Sequence, residues 1–281
     1  AIIDQVYAQD LTGMAAYLEP YVISEPDANG AKVSTAAGTA RNASSDPTFG
    51  VAKISPYELT TTSYVDRNIS RLTPAAYYAK VFNMAMKAMR RDTVKMIFNG
   101  DGQSTNDMFG IKTAKNVAGS NIFATIDVEA VDADLLTNLM FAYGGDEELG
   151  GNCRLYHNKK DLQALGKIRG TNEKRRLFDI VPDAANPNIG TIRDGGIIVP
   201  YSISKQLTAL SESTKDSAAI PTMVYGDPQN YELGLFGDYT VRVDESVKAV
   251  ERMLTILGDA MAGGNLIVHK AFVVATLPAN G

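Results

Sequence analysis

The sequence predicts an α+β protein, on three observations. The stretch from Pro74 to Phe98 contains no glycine and no proline after its first residue, and its apolar residues fall at helical spacing. Five segments between residues 222 and 277 are β-leaning and punctuated by glycine or Asp-Pro. Between these two regions, strand-like and short helix-like segments alternate, which implies an α/β unit.

The long helix organises the rest. Thr73 suits the N-cap, and Pro74 suits the first helical position, where a missing N–H goes unnoticed. At 1.5 Å per residue, 74–98 makes a rod of roughly 37 Å. Turning 100° per residue puts Tyr78, Phe82, Ala85, Met86, Met89 and Met96 on one side, predicted to be packed. Lys80, Lys87, Arg91 and Lys95 fall on the other as a basic stripe. Asn99-Gly100-Asp101-Gly102 ends the helix.

Taken in order, residues 1–20 scatter Ile2, Ile3, Val6, Leu11, Tyr17 and Leu18 around Gly13, fitting either a short helix or an extended arm. From about Val22 to Tyr64 the chain is rich in Thr, Ser, Ala and Gly. Its β-leaning pieces at 32–35, 50–54 and 58–65 are separated by turns such as Asn29-Gly30 and Asp46-Pro47. A ribbon so poor in large apolar residues cannot hold itself rigid and must lie on something else.

After the helix, Ile122–Val128 reads as a strand, and Asp132 as the cap of a helix reaching Tyr143. A strand at 154–156 leads to Asn158, a cap for a short helix at 159–165. Residues 166–179 read as a hairpin and 195–200 as a buried strand. The C-terminal strands are expected at 222–225, 231–236, 239–243, 252–257 and 271–277.

Composition narrows the function. The 281 residues carry a net charge of −5, so the whole chain lacks the electrostatic signature of a nucleic-acid binder, and no apolar run approaches a membrane span. Cys153 is the single cysteine, which excludes an internal disulfide. His157 and His269 have no metal-ligand spacing to any His, Cys or Glu. No nucleophile elbow or phosphate loop is present, and Gly100-Asp101-Gly102 sits at the wrong helix end for phosphate. The residues therefore imply no cofactor, no metal and no catalytic set.

The long helix followed by Asn99-Gly100-Asp101-Gly102, a polar stretch and Gly110-Ile111 resembles the spine helix and turn of tailed-bacteriophage major capsid proteins of the Hong Kong 97 type. Val224-Tyr225-Gly226-Asp227 with Asn230-Tyr231 is similar to another of that family's elements. So are Tyr239–Val243 before Asp244-Glu245, Met253–Leu257, and the closing run Leu266–Val274. The ordered set spans roughly Val22 to Leu277.

The resemblance implies an N-terminal arm (1–26), an extended β-ribbon loop (27–63), and an axial domain (130–220). It also implies a peripheral domain made of 64–129 and 221–281, with the spine helix at 74–98. It implies self-assembly into pentamers and hexamers of an icosahedral shell that encloses double-stranded DNA, with scaffolding, portal and cement proteins as further partners and no membrane. Such a shell is assembled in the bacterial cytoplasm and ends as the virion. The ribbon would then lie on a neighbouring subunit through Lys32, Arg41, Phe49, Lys53 and Tyr57, and the stripe Lys80, Lys87, Arg91, Lys95 would face inward. A chain beginning at Ala1 fits removal of an upstream segment. Some members of the family cross-link their subunits with a Lys–Asn isopeptide bond catalysed by a Glu. Arg252 and Asp259 stand at those two positions here, which implies a non-covalent shell. An encapsulin-like cargo shell and a soluble α/β enzyme with a mobile lid at 27–63 are the alternatives.

Overall fold

The computed structural model describes residues 1–25, 46–66, 74–102, 108–145, 151–170 and 174–280, with side chains of the long helix described from residue 79 onward. The chain opens with a 3-10 turn, Ile2–Asp4, followed by β1 (Tyr7–Asp10), β2 (Tyr17–Ser24), β3 (Thr48–Ile54) and β4 (Tyr57–Asp66). The N-terminal region is thus extended, not helical. Then come α1 (Pro74–Asn99), β5 (Ala124–Asp127), α2 (Leu135–Phe141), β6 (Arg154–His157) and α3 (Lys159–Leu165). The remainder is strand: β7 (Asp179–Pro182), β8 (Ile189–Asp194), β9 (Ile197–Ile203), β10 (Ile220–Gly226), β11 (Tyr231–Asp244), β12 (Met253–Leu266) and β13 (Phe272–Leu277).

Three sheets result. A four-stranded sheet runs β1-β11-β12-β4, a seven-stranded sheet runs β5-β13-β10-β6-β9-β8-β7, and β2 pairs with β3 alone. The α1 rod packs across β4 and β12. Its core includes Met89, Ile97, Phe98, Ile111, Tyr231, Leu266 and Phe272. A second core under α2 gathers Leu135, Leu139, Phe178, Ile192, Tyr201, Met223 and Val273. Strands β10 and β13 serve both: Val224 and Phe272 point into the first, Met223 and Val273 into the second. Burial on both faces explains why their sequences are continuous apolar runs rather than alternating ones. The two cores meet across these central strands, so no sheet boundary falls at residue 220.

The end of α1 shows why its terminal motif has two glycines ten residues apart. The last carbonyls of a helix lack intrahelical partners. Here the chain returns so that Ile111 N–H donates to Ile97 O at 2.8 Å and Lys112 N–H to Phe98 O at 3.3 Å. Gly110 N–H donates to Gly100 O at 3.0 Å. A Cβ on Gly100 would collide with the Met108 carbonyl, and one on Gly110 would lie 2.7 Å from the Gly100 nitrogen.

The structure corrects several sequence expectations. Among the described side chains the packed face of α1 is Ala85, Met89, Thr93 and Ile97, whereas Phe82 is exposed and Met86 and Met96 are only half-buried; the Tyr78 side chain lies outside the described residues. Thr93 escapes an apolar count because its hydroxyl is satisfied by the Met89 carbonyl at 3.0 Å. The expected caps also differ. Asp134, not Asp132, is the N-cap of α2, and the Asp132 carboxylate instead accepts the Asp134 N–H at 3.2 Å. Asn158 caps α3 as expected, accepting Lys160 N–H at 3.2 Å. Thr73 lies outside the described residues. The break expected near Gly237 is a register shift inside one strand, β11. The strand expected at 252–257 does not end there: β12 runs on to Leu266, and Asp259 in its middle pairs with Thr60 and Thr240. There Gly258 leaves room for the helix: a Cβ would sit 2.9 Å from Met89 Sδ.

Candidate functional site

Among the described residues, no group of three His, Cys, Asp or Glu side chains could hold a metal. His157 is fully buried; its Nδ1 lies 2.8 Å from the Asn158 carbonyl, and burial pushes its pKa down. His269 stacks on Tyr21 with ring centroids 6.1 Å apart and is likewise depressed by burial. Cys153 is buried in the second core. These groups are positioned as packing residues. The surfaces carry more information.

Lys32 and Arg41, expected at a subunit contact, lie outside the described residues. Phe49 and Lys53 lie on β3 and are exposed, Phe49 at 63%. Cross-strand pairing sets Val22 opposite Phe49 and Leu18 opposite Lys53, so Leu18, Val22 and Phe49 share the outer face of the ribbon. The inner face carries Tyr21, whose ring lies where a Cβ on Gly50 would be. That glycine lets the ribbon press down on its own chain while three large apolar side chains remain outside. Tyr57 differs from the others: it is half-buried against the first core.

A second apolar surface lies at the far end of β11 and β12. Val243, Val247, Val250 and Met253 are exposed there, Val250 at 98%. A shallow hollow of about 270 Å³ beside them is lined by Ala79, Phe82, Val241, Val243 and Ile256. Arg252 closes this hairpin in the left-handed region (φ 54°) and is exposed. Asp259 lies seven residues further along β12 and is half-buried.

The four stripe cations Lys80, Lys87, Arg91 and Lys95 are all exposed on α1. Arg90 stands beside them and pairs with Asp4.

One electrostatic feature gave no sequence signal. Glu232 on β11 is 2% exposed, and among the described residues its Oε1 has no hydrogen-bond partner. Burial, followed by the nearby Glu19 carboxylate, pushes its pKa up to about 7. Glu19 itself accepts the Tyr17 hydroxyl at 2.6 Å, which pushes Tyr17 up to about 12. Buried Lys112 shows the converse: its Nζ donates to the Pro221 carbonyl at 3.2 Å, and burial lowers its pKa to about 8.

A family model described as the phage capsid family matches residues 2–277. No match is found among curated protein sequences. Among solved structures, the capsid of a native GTA particle computed with C5 symmetry is similar at a TM-score of 0.74 and 14% identity, covering 99% of this chain and 90% of that one. A chain from Gordonia phage Cozz gives a TM-score of 0.65 at 14% identity, covering 99% of this chain and 86% of that one. A chain from Mycobacterium phage Bobi gives 0.63 at 13% identity, with coverage of 100% and 90%. At such identities the likeness is one of fold.

Proposed function

The chain belongs to the phage capsid family, and from that premise we propose that it is the major head subunit of a tailed bacteriophage. It assembles into pentamers and hexamers of a closed icosahedral shell around double-stranded DNA, and its place is the virion. It acts as a structural protein, with scaffolding, portal and cement proteins as further partners in head assembly in the bacterial cytoplasm. Removal of an upstream N-terminal segment belongs to the same reading.

The observation that carries this reading is the outer face of the ribbon. Leu18, Val22 and Phe49 are held outward on a strand pair whose inner face is already satisfied. Apolar side chains arranged in this way gain nothing from their own chain and suit burial against another. The exposed hairpin end with Val247 and Val250 offers a second such surface elsewhere on the molecule. Two different surfaces of one chain favour heterologous contacts, which close into rings.

The shell is held without covalent welds. Arg252 has no carboxamide to form an isopeptide bond, and Asp259 pairs within a sheet. Purified particles should yield one monomer band after denaturation and contain nuclease-protected double-stranded DNA. A ladder of cross-linked chains would overturn the non-covalent reading. Particles holding protein cargo and no DNA would overturn the phage-head reading.

A further inference from the structure

Helix α1 and the loop at 204–206 enclose two adjoining hollows. The first, about 300 Å³, is lined by Lys87, Arg90, Arg91, Val94 and Lys205 among others. The second, about 510 Å³, is lined by Thr60, Thr61, Arg91, Asp92, Lys95 and Lys205 among others. Arg91 and Lys205 belong to both, so the hollows form one groove with five cations along it. Two acids are close: Asp92 lines the second hollow, and Asp4 is engaged by Arg90.

The cations are placed by the fold. Lys87, Arg91 and Lys95 recur every fourth residue, stepping about 6 Å along one helix face. Lys205 comes from the end of the seven-stranded sheet, and its loop is pinned on both sides. Asn99 Nδ2 donates to the Gln206 carbonyl at 2.8 Å. Ser204 N–H donates to His157 O at 2.9 Å, and Asn158 Nδ2 to Leu207 O at 2.8 Å. Lys205 is thereby held, exposed, opposite the stripe. Like charges gathered in this way repel one another until an anion lies among them.

We propose that this groove seats the phosphate backbone of double-stranded DNA without reading sequence, spanning from α1 to the loop at 204–206. The proposal rests on the capsid reading and adds the locus and the mode of the DNA contact. Two features favour a duplex backbone over other polyanions. Phe98 and Tyr156, the aromatic residues of the groove, are buried beneath it, so unpaired bases find no stacking platform. The rim carries five cations spread along the groove, which matches a repeating phosphate backbone, while Ile2, Val94, Phe98 and Ile203 line the floor of the first hollow. Contacts of this kind position the backbone and carry no sequence information. Because Lys205 follows the seven-stranded sheet and the stripe lies on α1, which packs on the four-stranded sheet, a bound backbone also braces one unit against the other.

The experiment measures binding of a fluorescent 20-base-pair DNA of arbitrary sequence to the full-length chain by anisotropy, across a salt series. The groove variant is K87Q/R91Q/K95Q/K205Q, and R175Q/R176Q is a control at an exposed basic pair elsewhere. Thermal melting verifies that each variant is folded, and electron microscopy scores particle formation separately. Each phosphate contact contributes about 0.9 to the slope of log affinity against log salt. The groove variant is therefore expected to lose about three to four from that slope and to bind at least tenfold more weakly, with the control near the wild type. Equal slopes in wild type and groove variant would overturn the proposal, as would an equal loss in the control. Tighter binding of poly-glutamate than of DNA at matched charge would assign the groove to an acidic protein instead. DNA binding by a chain that forms no particles would sink the shell reading while leaving the groove standing.

Discussion

Asn99, the last residue of α1, donates its side-chain amide to the carbonyl of Gln206 at 2.8 Å, across 107 positions of sequence. This bond ties the end of the long helix to the loop that leaves the seven-stranded sheet. Replacing Asn99 with Ala leaves a half-buried carbonyl without its partner, at a cost of about 1 kcal/mol. The melting temperature should fall by about 2–4 °C. DNA binding should weaken as well, because Lys205 loses its fixed position. An unchanged melting temperature would mean that the two units are not coupled through this contact.

The buried carboxyl of Glu232 makes a pH-dependent contribution of unusual sign. Its folded pKa, about 7, lies above the ordinary glutamate value of 4.5. Between those values the folded chain binds more protons than the unfolded one, so this group's contribution to stability is lost as pH rises through the window. The Glu232→Gln variant should remove the dependence and gain on the order of 2 kcal/mol over the wild type at pH 8. Denaturant melts of both chains at pH 5 and pH 8 measure it. A difference that does not grow with pH would contradict the assignment.

Glycines in β12 are set by contact, and two positions separate the argument. A Cβ on Gly263 would fall on the Ser55 carbonyl, with Phe236 2.9 Å away. On Gly237 of β11 it would meet nothing closer than Met261 at 3.5 Å. Gly263→Ala should therefore destabilise by about 1–3 kcal/mol, as overpacked positions do. Gly237→Ala should change stability by less than about 0.5 kcal/mol. Equal losses at both sites would indicate a backbone effect and not packing.

Phe49 separates folding from assembly. At 63% exposure it contributes little to its own chain. Phe49→Asp should melt within about 2 °C of the wild type. It should fail to form particles, because a carboxylate cannot be buried in an apolar contact without a partner. Wild-type particles from this variant would remove the ribbon from the interface.

Much of the fold was legible because it rests on local periodicity. The α1 rod, the Asn158 cap and the β-leaning composition of 58–65, which lies in β4, are all patterns within one element. The failures have physical causes. Strand β7 lies at the sheet edge and contains Pro182, and its neighbour β8 contains Gly190, so the hairpin they form leaves little trace in the sequence. The run Gly258-Asp259-Ala260-Met261-Ala262-Gly263-Gly264 looks like a turn, yet its small residues admit Met89, Ser55 and Tyr231 against a continuous strand. Glu232 occupies an outward-looking position in an alternating strand, and nothing local reveals how deeply it is buried. The basic stripe was visible on one helix. Lys205, which completes the groove, is more than a hundred residues away in sequence and is brought to the stripe by tertiary contacts such as the bond from Asn99 to Gln206.

Self-assembly is tested by negative-stain electron microscopy with light scattering on the purified chain at low and high salt. Closed shells, or rings of five and six subunits, are the predicted result. A monodisperse monomer under every condition, with an intact melting transition, would contradict it.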